Sequence, residues 1–175
     1  MALIVLALVG FSLHEKKRTA AFQRKAQERG GAFEARSHLP HEDLNRCELL
    51  STSKGTYPVI CNRIELIGND RRLWLFDLGQ HTSTGQTRNM WIGTFVAVRS
   101  SQPMASTAPT VTERRDPETG AELRVKVEVK GPWLVFCPLA ARASVSRRAK
   151  PKELGMLVRL GDELARQTSH DERLS

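Results

Sequence analysis

At 175 residues the chain is sized for one domain, and 27 Lys and Arg against 19 Asp and Glu give it a formal charge of +8. Its three cysteines, Cys47, Cys61 and Cys137, are odd in number and form no CxxC pair, so a disulfide framework is not indicated and a reducing compartment is the simpler expectation. The basicity is not spread over the fold. Residues 14–29 carry a net +4 and residues 142–152 a net +5, whereas 153–175 carry −2 and 30–141 about +1. A nucleic-acid module more often lays its charge along a folded face with aromatics interleaved, so no nucleic-acid partner is expected.

Residues 1–13, MALIVLALVGFSL, contain no charged side chain. As a helix they cover roughly 20 Å, against about 30 Å for a bilayer core. Three readings compete: a membrane anchor, a buried core helix and a cleaved signal peptide. The signal peptide lacks a basic leading region and a small-residue cleavage site, and helices of soluble domains are rarely apolar all round. The anchor is the expectation. Residues 14–31 follow as a basic juxtamembrane helix, with Gly30-Gly31 as its C-cap. Lys16, Lys17, Arg18, Arg24 and Lys25 lie within about fifteen residues of the apolar run, and the positive-inside rule then places the following domain in the cytosol.

The domain is expected over 32–168, with a polar tail at 169–175. Phe33–Arg36 is a short extended candidate, and His41–Leu50 a short helix or irregular segment. Tyr57–Ile67 alternates, with Ile60, Ile64 and Leu66 on one side and Arg63 and Glu65 on the other, which predicts a strand with one wet face. Gly68-Asn69-Asp70 marks a turn. Leu73–Leu78 and Trp91–Val98 are apolar on both faces and form the centre of the domain. Leu73 and Leu75 oppose Trp74, Phe76 and Leu78, while Trp91, Phe95 and Ala97 oppose Ile92, Val96 and Val98. Strands of that kind are covered on both sides, so the sheet needs a second layer or partial closure.

Ser100–Ala121 is a long connection able to hide a strand at Thr110–Arg114. In Ala121–Lys130, Leu123, Val125, Val127 and Val129 alternate with Arg124, Lys126, Glu128 and Lys130. Gly131-Pro132 turns the chain into Trp133–Phe136. Pro151 suits the first turn of a helix over Glu153–Gln167, in which Leu154, Leu157, Val158, Leu164 and Ala165 share a face. The fold expected is α+β: a mostly antiparallel, curved sheet of about five strands, a meander or a partly closed barrel, packed with a C-terminal helix.

This order of features resembles a group of uncharacterised bacterial membrane-anchored proteins with N-terminal membrane helices, a basic stretch and a small α+β domain. The resemblance rests on Asn62–Gly68 (NRIELIG), Phe76-Asp77, the turn Gly79–Gly85, Thr94–Val98 (TFVAV) and Gly131-Pro132-Trp133, and covers about residues 33–167. Leu78 stands where that family has an aromatic residue. The resemblance implies an address, the bacterial inner membrane with the domain on its cytoplasmic side, and a fold. It implies no reaction.

No residue is assigned a catalytic role, and no metal or cofactor is expected. Asp77 and His81, near the end of a strand, could form an acid/base pair, but an Asp there more often bonds turn amides. Cys61 and Cys137 read as small buried hydrophobes. His38 and His41 have a spacing that could bind metal on a helix, without a second cluster to complete the site. Gly79, Gly85 and Gly93 lack the spacing and lysine of a phosphate loop. The basic segment Arg142, Arg147, Arg148, Lys150 and Lys152, together with Lys16, Lys17, Arg18, Arg24 and Lys25, is the candidate contact with anionic lipid or with a protein partner. The functional expectation is a membrane-anchored, cytosol-facing interaction or sensing domain without catalysis. The alternatives are an enzyme with a site at Asp77 and His81, and a soluble nucleic-acid binder using 142–152.

Overall fold

A computed structural model of the chain describes residues 2–39, 42–52, 56–68, 71–82, 90–101, 104–140 and 145–171. The two apolar runs at the middle of the sequence supply the centre of the sheet. Strands β3 (Arg71–Thr82) and β4 (Met90–Ser100) pair antiparallel, preceded by β1 (Ala32–Ser37) and β2 (Thr56–Ile67) and followed by β5 (Thr107–Arg115), β6 (Glu122–Lys130) and β7 (Trp133–Pro138). The spatial order is β1-β2-β3-β4-β7-β6-β5, with every neighbouring pair antiparallel. The protein is therefore α+β, as expected, but the sheet has seven strands rather than about five and is open rather than closed. The two extra strands are the short candidates at its ends, β1 and β5. Each gains its hydrogen bonds from a single neighbour, and so needs little hydrophobic pattern of its own.

Helix α1 (Ala2–Glu28) and helix α2 (Leu154–Asp171) lie on one face of the sheet. Phe22 and Ala26 of α1, with Leu154, Leu157, Val158 and Leu164 of α2, cover Ile64, Leu73, Leu75, Val96, Val98, Val125 and Phe136. On the opposite face two single 3-10 turns, Glu42–Arg46 and Glu48–Leu50, bring Leu44, Cys47 and Leu50 onto Trp74, Phe76, Leu78, Phe95, Trp133 and Val135. The expectation that β3 is covered on both sides is met by layers, not by closure. Trp74 and Trp133 pack with ring centroids 5.2 Å apart. Glu128, expected on a wet face, is 2% exposed, and its carboxylate accepts from the amides of Glu48 (3.0 Å) and Leu49 (2.9 Å). This caps the second 3-10 turn from across the sheet and gives a buried charge its partners.

Helix α1 ends at the glycine pair as the sequence predicts. Gly30 has φ 65°, its amide donates to Gln27 O (3.2 Å), and that of Gly31 donates to Ala26 O (2.8 Å). Those are the two bonds of a Schellman cap, with the left-handed residue a glycine.

Two bulges break the simple alternation. Asn62 has φ 52°, and the β2–β3 register slips between Cys61 and Ile64. Ile60 consequently packs with Trp74 and Phe76, while Ile64 packs under the helices, although the period-two pattern puts them on one side. In β4 the register slips so that Leu78 faces Gly93 while Gly79 faces Trp91. Ile92 then packs with Phe95 and not, as the alternation implies, with Val96. An extra residue inserted in one strand inverts the parity beyond it.

Candidate functional site

Both bulges flank Asp77, which sits in the middle of β3 and not at a strand end. Its side chain shares the helix-covered face with Leu73 and Leu75 and is fully buried. A carboxylate there must find charge and hydrogen-bond partners or lose its ionisation. Arg18, 3% exposed and projecting from α1, supplies a fork: Nε donates to Asp77 Oδ2 at 2.7 Å and Nη2 to Oδ1 at 2.6 Å. Arg18 Nη2 also donates to Thr94 Oγ1 at 2.7 Å, and Nη1 to the carbonyl of Ala149.

The remaining lone pairs of Asp77 are taken as well. Thr94 Oγ1 donates to Oδ1 at 2.8 Å, while Asn62 Nδ2 and Arg148 Nη2 each donate to Oδ2 at 3.1 Å. The bulge at Asn62 aims that side chain at Asp77, and Thr19 of α1 donates to its Oδ1 at 2.9 Å. Arg148 in turn forms a fork onto Glu15 at 2.6 and 2.9 Å, with its guanidinium 4.3 Å from the Trp91 ring centroid. Two guanidiniums face two carboxylates, so the cluster is neutral as a unit. Burial alone would raise the Asp77 carboxyl, but the Arg18 bonds and charge, the Arg148 charge and the Asn62 amide outweigh it, holding the pKa below the usual carboxylate range.

This arrangement fastens elements together and is poorly suited to proton transfer. Asp77 joins α1, β2, β3, β4 and the segment before α2, with its oxygens committed to donors. His81 lies four residues along the same strand, about 13 Å away at the usual rise. Geometry therefore does not bring Asp77 and His81 together as an acid/base pair, and Asp77 bonds side chains instead of turn amides.

The basic residues proposed for lipid contact divide into two groups. Arg18 is buried in the cluster, Arg148 is bound to Glu15 and Asp77, and Arg147 forms a fork onto Glu153 at 2.7 and 3.1 Å. Lys25 pairs with Glu28 and is partly covered. Lys16, Lys17, Arg24, Lys150 and Lys152 are exposed. Arg142 lies outside the described residues, as do His41 and most of the 79–89 turn. The structure therefore corrects Arg18 as a surface contact: its position on α1 places it over a buried carboxylate, which a count of basic residues cannot show.

Cys47 and Cys137 are buried within the sheet's second face, Cys137 inside β7 rather than after it. Burial, with the charge of Glu128 adding for Cys47, pushes their thiols up to about 12. Cys61 is half-buried, and burial raises its thiol also. Among the described residues no three His, Cys, Asp or Glu side chains gather as a metal site. The signal that points to the cluster is Asp77 itself. An acid at the same parity as Leu73 and Leu75, in a strand apolar on both faces, requires a buried cation.

No family model, curated protein or solved structure matches the chain.

Proposed function

We propose that the chain is a membrane-anchored, cytosol-facing interaction or sensing domain that works without catalysis; the resemblance to bacterial membrane-anchored proteins bears only on the address. The observation that carries this reading is the continuity of α1. One 27-residue helix, about 40 Å long, holds both the apolar run and the half that is built into the core. Among the side chains described, from Leu13 onward, the first buried one is Arg18, whereas Leu13, the last residue of the apolar run, is 53% exposed. A helix fastened to four other parts of the fold would fix the orientation of the domain relative to whatever its first turns enter.

Among the described residues no helix is long and apolar enough to cross a membrane. The anchoring proposed is therefore insertion of residues 1–13 into the bilayer interface, with Lys16 and Lys17 at anionic headgroups on the cytoplasmic side of the inner membrane. The enzyme alternative gains no support from a carboxylate bonded by four side chains. The nucleic-acid alternative needs Arg147 and Arg148, which are turned to internal carboxylates.

The test is fractionation of bacterial cells expressing the full chain. The protein should sediment with membranes and resist extraction by high salt, and Leu6→Glu with Val9→Glu should move it to the soluble fraction. A parent chain that is soluble, or that salt releases fully, overturns the proposal.

A further inference from the structure

A second feature lies away from α1, at the end of the sheet where β2 turns into β3. Pairing in register aligns Ile67, Arg72, Arg99, Trp133 and Lys130 as one row across β2, β3, β4, β7 and β6. Directly paired residues point to the same side of a sheet. Here it is the side of Trp74 and Trp133, opposite the helices. The row therefore sets two arginines face to face and a lysine two strands further on, with no acid in the row. All three cations are exposed.

Like charges directly opposed across two strands cost stability unless an anion lies between them. Among the described residues Glu65 approaches Arg72 only to 3.8 Å, against 2.6 Å for the Arg18–Asp77 pair. Arg99 is held over the Trp133 ring, 5.7 Å from the guanidinium to the centroid, which orients its in-plane donors. Arg71 points to the other side and donates to Asp162 O in α2, so it anchors the rim and leaves Arg72 to the surface. A cleft of about 500 Å³ opens at this end, lined by Arg71, Arg72, Arg99, Ser100 and Ser101 with Ile67 and Gly68.

We infer that this cleft binds a phosphate-bearing small anion, held by the forks of Arg72 and Arg99. Opposed side chains rooted about 5 Å apart can close on one tetrahedral phosphate. Lys130, roughly 10 Å beyond Arg99 at two strand spacings, adds positive charge along the same row. Membrane anchoring plays no part in this inference.

The test is calorimetric titration of pyrophosphate into the full chain in a non-ionic detergent and a phosphate-free buffer. Saturable one-to-one binding is expected, weakened about tenfold or more by Arg72→Gln and by Arg99→Gln. Arg36→Gln, which removes an exposed charge on β1, away from the row, should leave it unchanged. Because both row arginines are exposed, the variants should melt with the parent chain, and that is measured alongside. A parallel arm uses phosphatidylcholine vesicles with and without phosphatidic acid. Loss, in the same two variants, of the extra vesicle binding that phosphatidic acid gives over phosphatidylcholine alone, without pyrophosphate binding, identifies the phosphate as a lipid headgroup. The inference is overturned if neither probe binds saturably, or if Arg36→Gln weakens binding as much as Arg99→Gln.

Discussion

Replacing Arg18 by Met tests how much of the fold depends on the buried charge cluster. The substitution keeps most of the aliphatic stem and removes two bonds to Asp77, one to Thr94 and one to the Ala149 carbonyl. Asp77 would keep Arg148, Asn62 and Thr94. Breaking a buried ion pair by deleting one partner costs about 3–5 kcal/mol, and the surviving donors place Arg18→Met near the lower end, about 3 kcal/mol. Asp77→Ala leaves two guanidiniums with Glu15 alone and should cost about 4–5 kcal/mol. The double variant Arg18→Met with Asp77→Ala should lose less than the sum of the single variants, with a coupling of about 2 kcal/mol.

Urea unfolding of the full chain in detergent, followed by the fluorescence of Trp74 and Trp133, reads these values. At a slope of about 2 kcal/mol per molar urea, Arg18→Met lowers the midpoint by about 1.5 M. A loss under about 1 kcal/mol, the size of a surface ion pair, refutes the reasoning, because Arg18 would then not be holding a buried charge.

Two further outcomes follow from the same structure. Asp77 and Asp116 both have carboxyl pKa values held below the usual range. For Asp116 the main cause is the Arg159 fork, at 2.8 and 2.6 Å. A lowered folded pKa contributes stability above the unfolded value of about 3.9, lost as pH falls through the folded pKa. The urea midpoint should therefore hold from about pH 7 to 5 and drop below about pH 4. Asp116→Asn should make that drop shallower, and a midpoint indifferent to acid contradicts the ion-pair account. With iodoacetamide at mildly alkaline pH, the native protein should alkylate at Cys61 before Cys47 or Cys137, whose thiols burial pushes up to about 12. Mass spectrometry of peptides decides it, and early labelling of Cys137 would mean that β7 is not in the core.

The strands were legible because apolar runs and turn residues bound them: Leu73–Leu78 lies inside β3, Trp91–Val98 inside β4, and Leu123–Val129 inside β6. The face-by-face reading of β3 also holds, since Leu73 and Leu75 meet the helices while Trp74, Phe76 and Leu78 do not. Long-range pairing was hidden. Nothing local to Val96 or Phe136 says that β4 lies beside β7, because strand adjacency is decided by which edges remain after the hairpins form. The bulges at Asn62 and Ile92 were equally silent, since one inserted residue looks like continued alternation until the register is known. Arg18 illustrates the same limit. Its neighbours Lys16 and Lys17 are exposed, and only the packing of α1 over Asp77, 59 positions away, separates it from them.

The central claim is that the second half of α1 is a structural part of the domain, fastened by Arg18, and not a linker beside it. Hydrogen exchange of the full chain, read by mass spectrometry, tests this most directly. Amides of residues 18–28 should exchange as slowly as those of β3 and open with them as one cooperative unit, and Arg18→Met should speed both together. Exchange of 18–28 far faster than that of β3, and unaffected by Arg18→Met, would contradict the account.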